Sequence, residues 1–449
     1  MRQRRSDLRG ARGGARSAAL LALAAGAALG LPRHSLAAPQ GASVQQGSVN
    51  IATSGSQTTI TASDGAIINY TSFDIASGEL VRFVQPGASA RVLNRITSAQ
   101  PTTINGALLA NGQVYIVNPA GVVFGNHSIV SAAQLFAVAG DISNADFVAG
   151  VNQFSNIQGG IVAQGYISAD AVHLVGRTVS NAGTIISQDG LVTMLVGDEV
   201  LLREHGGRIS VRIDGEAIEP GSAPSAAVTP VSTVGVENTG IVDAREGRIV
   251  LGAGDAVSLA VRNAGRLSAS GGEIHLSSAN SAVVNESGAV IEVHPTANEI
   301  SPNPNEPLPS ALDARVDLEG QSVSNLGSVN ASGGGAIGLR ATDGVLIGPD
   351  ATTLALGPSG TISIDTAGGD VEVTSDLRAG SLAEIDAGND VLFGSEFQPP
   401  DLSTITPEVI VEAETVLIDA TGTVQERVFD IGTGEEGTRI GSLTTRLVD

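Results

Sequence analysis

The chain has 449 residues, no Cys, no Trp, two Met and 57 Gly, and it carries a net charge of −22. Without cysteine, disulfide frameworks, thiolate metal sites and thiol nucleophiles are all excluded. All 24 basic residues are Arg, and an acidic surface of this size repels nucleic acid and anionic lipid.

Residues 1–38 read as a signal peptide. Arg2, Arg4, Arg5, Arg9, Arg12 and Arg16 form a basic n-region, and Ala18 to Leu31 is an apolar stretch too short to span a membrane. Ser35-Leu36-Ala37 fits a small-x-small cleavage site, so cleavage is expected near Ala37 or Ala38. A twin-arginine reading of Arg4-Arg5 fits less well, because the apolar region is distant. An uncleaved anchor is disfavoured by length. Removing residues 1–40 takes away seven Arg and one acid, leaving 17 Arg against 45 acids and a net charge of about −28.

Gly41 to Gly65 is polar and Ser/Thr-rich, with alternation at Thr58-Thr59-Ile60-Thr61. Ile67-Ile68-Asn69-Tyr70 and Leu80-Val81-Arg82-Phe83-Val84 read as strands. Val114-Tyr115-Ile116-Val117 is a β-branched and aromatic run suited to a pleated, half-buried surface. Asn118-Pro119-Ala120-Gly121 stops it: proline presets φ for a turn, and the Asn118 side chain can bond the backbone two residues on. Val122-Val123-Phe124 resumes the strand, Gly125-Asn126 turns again, and Ile129-Val130 restarts. No amphipathic helix stands out. Ser131 to Ala139 reads either as a short turn of helix or as another strand.

The stretch from Ala42 to about Gly150 resembles the haemagglutination-activity (secretion) domain at the N-terminus of filamentous-haemagglutinin-like exoproteins of the two-partner secretion pathway. The family's Asn-Pro-Asn-Gly motif, followed by an aliphatic pair, Phe and Gly, stands here as Asn118-Pro119-Ala120-Gly121-Val122-Val123-Phe124-Gly125, with Ala120 replacing the usual Asn. Upstream, Phe83-Val84-Gln85-Pro86, Val92-Leu93-Asn94-Arg95-Ile96, Ile104-Asn105-Gly106 and Asn111-Gly112-Gln113-Val114 match in order. The resemblance implies export through the general secretory translocon of a diderm bacterium. It then implies recognition by an outer-membrane β-barrel transporter through periplasmic polypeptide-transport-associated domains. Asn118 would carry recognition and the turn, with Pro119, Ala120 and Gly121 shaping it.

From about Ile157 the chain repeats. Val236-Glu237-Asn238-Thr239-Gly240-Ile241-Val242 leads to Gly247-Arg248-Ile249-Val250-Leu251. Val261-Arg262-Asn263-Ala264-Gly265-Arg266-Leu267 leads to Gly272-Glu273-Ile274-His275-Leu276. The same unit occurs around Asn181 and Asn325, and Asn238 to Asn263 is 25 positions. Short strands and turns at such a period mark a β-solenoid, because one coil cannot bury its apolar side chains without its neighbours. A large β-sandwich with coincidental Asn-Gly turns would not repeat whole units. The fold expected is therefore all-β, a right-handed parallel β-helix with short extra β elements and extruded loops. Val, Ile, Leu and Ala, including Ile249 and Leu251, would fill its lumen. The turn Asn is expected to tolerate left-handed geometry and to bond its neighbour one coil away, and the following Gly to remove a Cβ penalty.

Three proline-rich interruptions, Glu219 to Pro230, His294 to Pro309 and Phe397 to Pro407, read as extruded loops or linkers. The expected organisation is a signal peptide at 1–38, a secretion-type β-helix domain at 39–293, a proline-rich linker at 294–310, and further coils at 311–449.

No catalytic constellation emerges. The six His stand apart, and none forms a His-x-x-x-His pair. His173 and His275 alternate with aliphatics, as on a strand face. Asp365, Asp370, Asp386 and Asp390 recur at coil spacing. They read as turn residues, although stacked carboxylates on a β-helix face would also suit a glycosidase or lyase. The expectation is a non-enzymatic exoprotein without metal or cofactor. It would be secreted or displayed at the cell surface, acting as an adhesin or structural component toward a host or matrix glycan or protein. A secreted polysaccharide-active enzyme is the alternative.

Overall fold

In the computed structural model the described residues are 38–429 together with the strands Glu436–Arg439 and Thr444–Leu447, less 189, 206–207, 214–215, 219–232, 246, 255–258, 296–313 and 395–408. The signal segment therefore lies outside them, as do Glu219 to Pro230, Phe397 to Pro407 and most of His294 to Pro309.

One coil consists of three short strands joined by tight corners. Thr233–Asn238, Ile241–Arg245 and Arg248–Ala253 form one such coil, and Leu259–Asn263, Arg266–Ser270 and Glu273–Ser278 form the next. Each strand pairs in parallel with its equivalent one coil on, in register: Asn238 with Asn263, Val242 with Leu267, Ile249 with Ile274. Repetition of this unit gives a right-handed parallel β-helix with three sheet faces. Period-two alternation explains it locally. In Ile241–Arg245 the side chains of Val242 and Ala244 are fully buried while Ile241 and Arg245 face solvent. The inward set of each coil, Ile249 and Leu251 included, merges into one continuous lumen core from Ile60 to Ala413.

Ser131 to Ala139 resolves as strand: it lies almost wholly in Ile129–Val138, which spans two faces of one coil. At the N-terminal end, Val49–Ser54 folds back antiparallel on Gln57–Ala62, and Ser43–Gln46 lies antiparallel to Ala66–Tyr70. These pairings occupy backbone groups that would otherwise template another chain. Coils on the two sides of residues 296–313 pair directly, His275 with Asp317 and Val293 with Ala331.

One helix was not expected from the sequence, Asn144–Ala149. Ser143 caps it, its side chain accepting from the Asp146 N–H, and Gly150 ends it at φ 73°. With the antiparallel sheet Asn152–Phe154, Val200–His205, Arg208–Ile213 and Glu216–Ile218, it packs outside the solenoid. Beneath them the solenoid strands Gln113–Val117 and Leu191–Val196 are buried on both faces. Continuous apolar runs replace alternation there for that reason. Tyr115 and Phe136, adjacent across the coils, stack at 4.0 Å between ring centroids, and Phe147 meets Tyr115 edge-on at 5.2 Å.

Candidate functional site: the Asn118 corner

The corner between Gln113–Val117 and Gly121–Phe124 is a hydrogen-bonded turn, with the Gly121 N–H donating to the Asn118 carbonyl at 2.9 Å. Asn118 is fully buried. Its Oδ1 accepts from the Ala120 N–H at 3.0 Å, which is the local bond expected of Asn before a turn. Its Nδ2 reaches back one coil and donates to the Gln100 carbonyl at 2.9 Å and the Thr102 Oγ1 at 3.1 Å. Its backbone N–H donates forward to the Val138 carbonyl at 2.9 Å. Asparagine alone supplies two donors and an acceptor at this reach, since aspartate lacks the donors and glutamine is longer.

Pro119 and Ala120 are half-buried at the corner. Gly121 adopts φ 118°, and a Cβ there would meet the Gly160 carbonyl oxygen at 2.7 Å. Glycine is required twice over: by the backbone conformation and by the coil stacked on it. Gly159 sits as tightly from the other side, with a Cβ position 2.5 Å from the backbone of Ala120 and Gly121. The four residues singled out by sequence thus form one corner, closed by a Gly159-Gly160 pair that the motif does not include.

The other motif residues have the same character. Gln85 and Asn111 exchange two hydrogen bonds across neighbouring coils, the Gln85 N–H to Asn111 Oδ1 and Asn111 Nδ2 to the Gln85 carbonyl, both at 2.7 Å. Asn94, fully buried, donates to the Tyr115 carbonyl at 3.1 Å. Phe83 points into the lumen and stacks near Phe73.

At a different corner the expected ladder is present. Asn181, Asn238, Asn263, Asn285 and Asn325 bond in series at 2.8 to 2.9 Å, and Asn325 passes the chain to Thr353 Oγ1 at 3.0 Å. The left-handed geometry expected of them is absent: among the described residues Asn156 is the one non-glycine with positive φ. The neighbouring glycines serve close approach instead. A Cβ on Gly240 would lie 2.1 Å from the Gly183 carbonyl oxygen, and one on Gly265 2.1 Å from that of Gly240.

Among the described residues the singled-out titratable groups stand apart. His173 is buried on the outer face, stacked on Phe136 and bonded through Nδ1 to Thr193 Oγ1 at 3.1 Å, and burial lowers its pKa to about 3. His275 is buried beside Asp317 and the Arg248, Arg315 and Arg340 guanidiniums, and burial lowers it to about 4. Asp370 accepts from the Asp390 N–H and from Asn389 Nδ2, and Asp390 from the Thr423 N–H, so both hold turns. Asp365 and Asp386 are exposed register partners. Among the described residues no group of three or more His, Asp or Glu is placed to hold a metal ion.

Comparison with known proteins fits this geometry. Residues 35–226 match the family model for the TPS secretion domain. Over 194 residues, 40% of this chain, the sequence is 32% identical to a heme/hemopexin-binding protein of Haemophilus influenzae (strain ATCC 51907 / DSM 11121 / KW20 / Rd), taking in 21% of that protein. Over 80 residues, 18% of this chain, it is 39% identical to a second heme/hemopexin-binding protein of Haemophilus influenzae, taking in 9% of that one. The chain thus matches about a fifth or less of the length of these relatives. The crystal structure of the HMW1 secretion domain from Haemophilus influenzae superposes with a TM-score of 0.54 at 21% identity, covering 86% of this chain and 99% of that one, a likeness of fold. Residues 35–226 of this chain are a two-partner-secretion (TPS) domain, the N-terminal secretion domain of exported exoproteins.

Proposed function

We propose that the chain is an exoprotein whose N-terminal β-helix directs its own export. The general secretory translocon delivers it to the periplasm. There it meets the periplasmic polypeptide-transport-associated domains of an outer-membrane β-barrel transporter. Residues 39–293 carry the export information, and the coils at 311–449 lengthen the rod. Outside the cell it acts without catalysis, as an adhesin or surface structural protein.

The observation that carries this reading is the complete internal use of Asn118. Both its backbone groups and both its side-chain polar atoms bond within the solenoid, and the side chain is fully buried. A partner cannot read it in the folded coil. Recognition of the Asn118 to Gly121 segment therefore happens on the unfolded chain, and closing the corner releases the partner. Each coil needs only its neighbour, so folding outside can proceed coil by coil and draw the chain forward without ATP. Two of the four candidate catalytic aspartates are committed to turns, which favours the non-enzymatic reading. Heme or hemopexin binding, stated in the relatives' names, stays outside the proposal, because so little of those proteins is matched.

The test is fractionation of the producing cell with wild type and Asn118→Ala, blotting periplasm, outer membrane and medium. Purified Asn118→Ala is checked for a β-type circular dichroism spectrum. The proposal expects wild type outside and a foldable variant held in the periplasm. Equal release of both variants would reduce Asn118 to a folding role.

A further inference from the structure

Along one corner of the solenoid runs an open groove of about 670 Å³, lined by residues of four successive coils. Its axis is a column of register partners: Ile129 pairs with Tyr166, Tyr166 with Thr184, and Thr184 with Ile241. Ile129, Tyr166 and Ile241 are 53%, 42% and 44% exposed. Tyr166 is unusual in this molecule. The other two tyrosines are buried, and among the Phe and Tyr rings whose side chains are described, it alone stands in solvent. Asn126, His127 and Gln164 flank the column, exposed and without side-chain hydrogen bonds among the described residues. The Oγ of Ser128, 2% exposed and also lining the groove, has no hydrogen-bond partner.

The lining decides the ligand class. Among the described residues no Asp, Glu, Lys or Arg lines the groove, although the chain carries 46 acidic and 24 basic residues. An anionic ligand would find no arginine here, and a cationic one no carboxylate. A peptide strand adding by backbone hydrogen bonds would find none free, because each of these strands is paired on both sides. A second copy of the chain needs about 800 Å² per partner, and three exposed apolar side chains do not supply it. An exposed ring in line with aliphatic side chains, with amides and hydroxyls beside it, suits pyranose rings: C–H faces stack on the aromatic surface while hydroxyls meet the amides. The coils repeat at about 4.8 Å, so an extended chain of sugars lying along the solenoid meets similar chemistry at each step.

We propose that this groove binds an uncharged oligosaccharide chain lying along the solenoid axis, with Tyr166 as the stacking residue. This deepens the adhesive half of the proposed function by naming the class of ligand, and it rests on that reading only in requiring the folded protein to face the outside.

Isothermal titration of the purified folded protein with a panel of uncharged hexasaccharides (cellohexaose, maltohexaose, N-acetylchitohexaose), and with hexagalacturonate as the charged counterpart, tests it. At least one neutral sugar is expected to bind, and hexagalacturonate is not. Tyr166→Ala should weaken binding by about tenfold or more, while Tyr166→Phe, which keeps the ring, stays within about threefold of wild type. Both variants alter an exposed side chain, so their circular dichroism spectra should match wild type. Binding to none of the neutral sugars, binding unchanged in Tyr166→Ala, or equal binding of hexagalacturonate would each overturn the inference. Fractionation separates the two readings: export without sugar binding removes only the groove assignment, and sugar binding by a protein that never leaves the periplasm removes only the export reading.

Discussion

Asn181 donates its side-chain Nδ2 to the Oδ1 of Asn238 at 2.8 Å, although 57 residues separate them in sequence. Three of the four antiparallel strands packed outside the solenoid, Val200–His205, Arg208–Ile213 and Glu216–Ile218, are inserted between them, yet the ladder passes from one coil to the next without a break. Asn238 is an interior member, accepting from Asn181 and donating to Asn263 at 2.9 Å. Asn238→Ala removes both bonds, leaving Asn181 Nδ2 its 3.3 Å bond to the Ile241 carbonyl and Asn263 Oδ1 its 3.3 Å bond from the Gly265 N–H. The expected cost is about 1–3 kcal/mol, read as a lower urea midpoint with an unchanged m-value. A loss below about 0.5 kcal/mol would show that the ladder is geometrically present but energetically idle.

The glycines beside the ladder make a second, separable prediction. Gly240→Ala places a Cβ 2.1 Å from a backbone oxygen of the preceding coil, so the two coils must part. Gly288 is a useful contrast: it has φ 78° but open space around its Cβ position. Gly288→Ala should cost about 1 kcal/mol, from backbone conformation alone. Gly240→Ala should cost clearly more, despite an ordinary φ. Equal costs in matched denaturation curves would mean that backbone conformation, not coil spacing, selects glycine at these corners.

Phe136 belongs to the outer core while its neighbours Leu135 and Ala137 face the lumen. Phe136→Ala removes the stack on Tyr115 and the contact with His173, at a cost of about 3–5 kcal/mol. The lumen packing is untouched, so the solenoid should survive. The expected result is a retained β-type circular dichroism spectrum, with new proteolytic cleavage confined to the Asn144–Ala149 helix and the strands Asn152–Phe154 and Val200–His205. Unchanged protease resistance would show that these elements are held by other contacts.

The solenoid was legible because its signal is periodic. Asn-x-Gly recurs with the coil, and Ile249 and Leu251 alternate with the residues between them. The Asn118 turn was legible because Asn-Pro and Gly act locally. The partners that bury Asn118, Gln100 and Thr102 of one coil and Gly159-Gly160 of another, carry no local mark; only stacking joins them. The role of the ladder asparagines was half legible. Their bonding follows from the repeat, but their backbone conformation is set by the strand ends they occupy. The helix Asn144–Ala149 did leave a trace, Ser143 three residues before Asp146 and Gly150 at the end, in a segment too short for apolar periodicity to show. Tyr166 sits in an ordinary strand, and its exposure depends on no described element packing over that corner.

Burial of two histidines predicts acid sensitivity of a definite sign. Desolvation lowers His173 to about 3 and His275 to about 4, against about 6.5 for an unfolded imidazole. Below about pH 6.5 the unfolded chain takes up protons that the folded chain refuses, so the unfolded state gains. The stability present above pH 6.5 is lost as pH falls toward the folded values, by at most about 1.4 kcal/mol per pH unit for each histidine. His173→Phe keeps an aromatic ring against Phe136 and removes one titrating group. Its unfolding free energy, measured by urea titration from pH 6.5 down to 4.5, should fall less steeply than that of wild type, whatever its value at pH 7. Parallel slopes for the two proteins would mean that His173 is not held neutral by burial, and that the outer core admits water where the packing of Phe136 and Thr193 closes it.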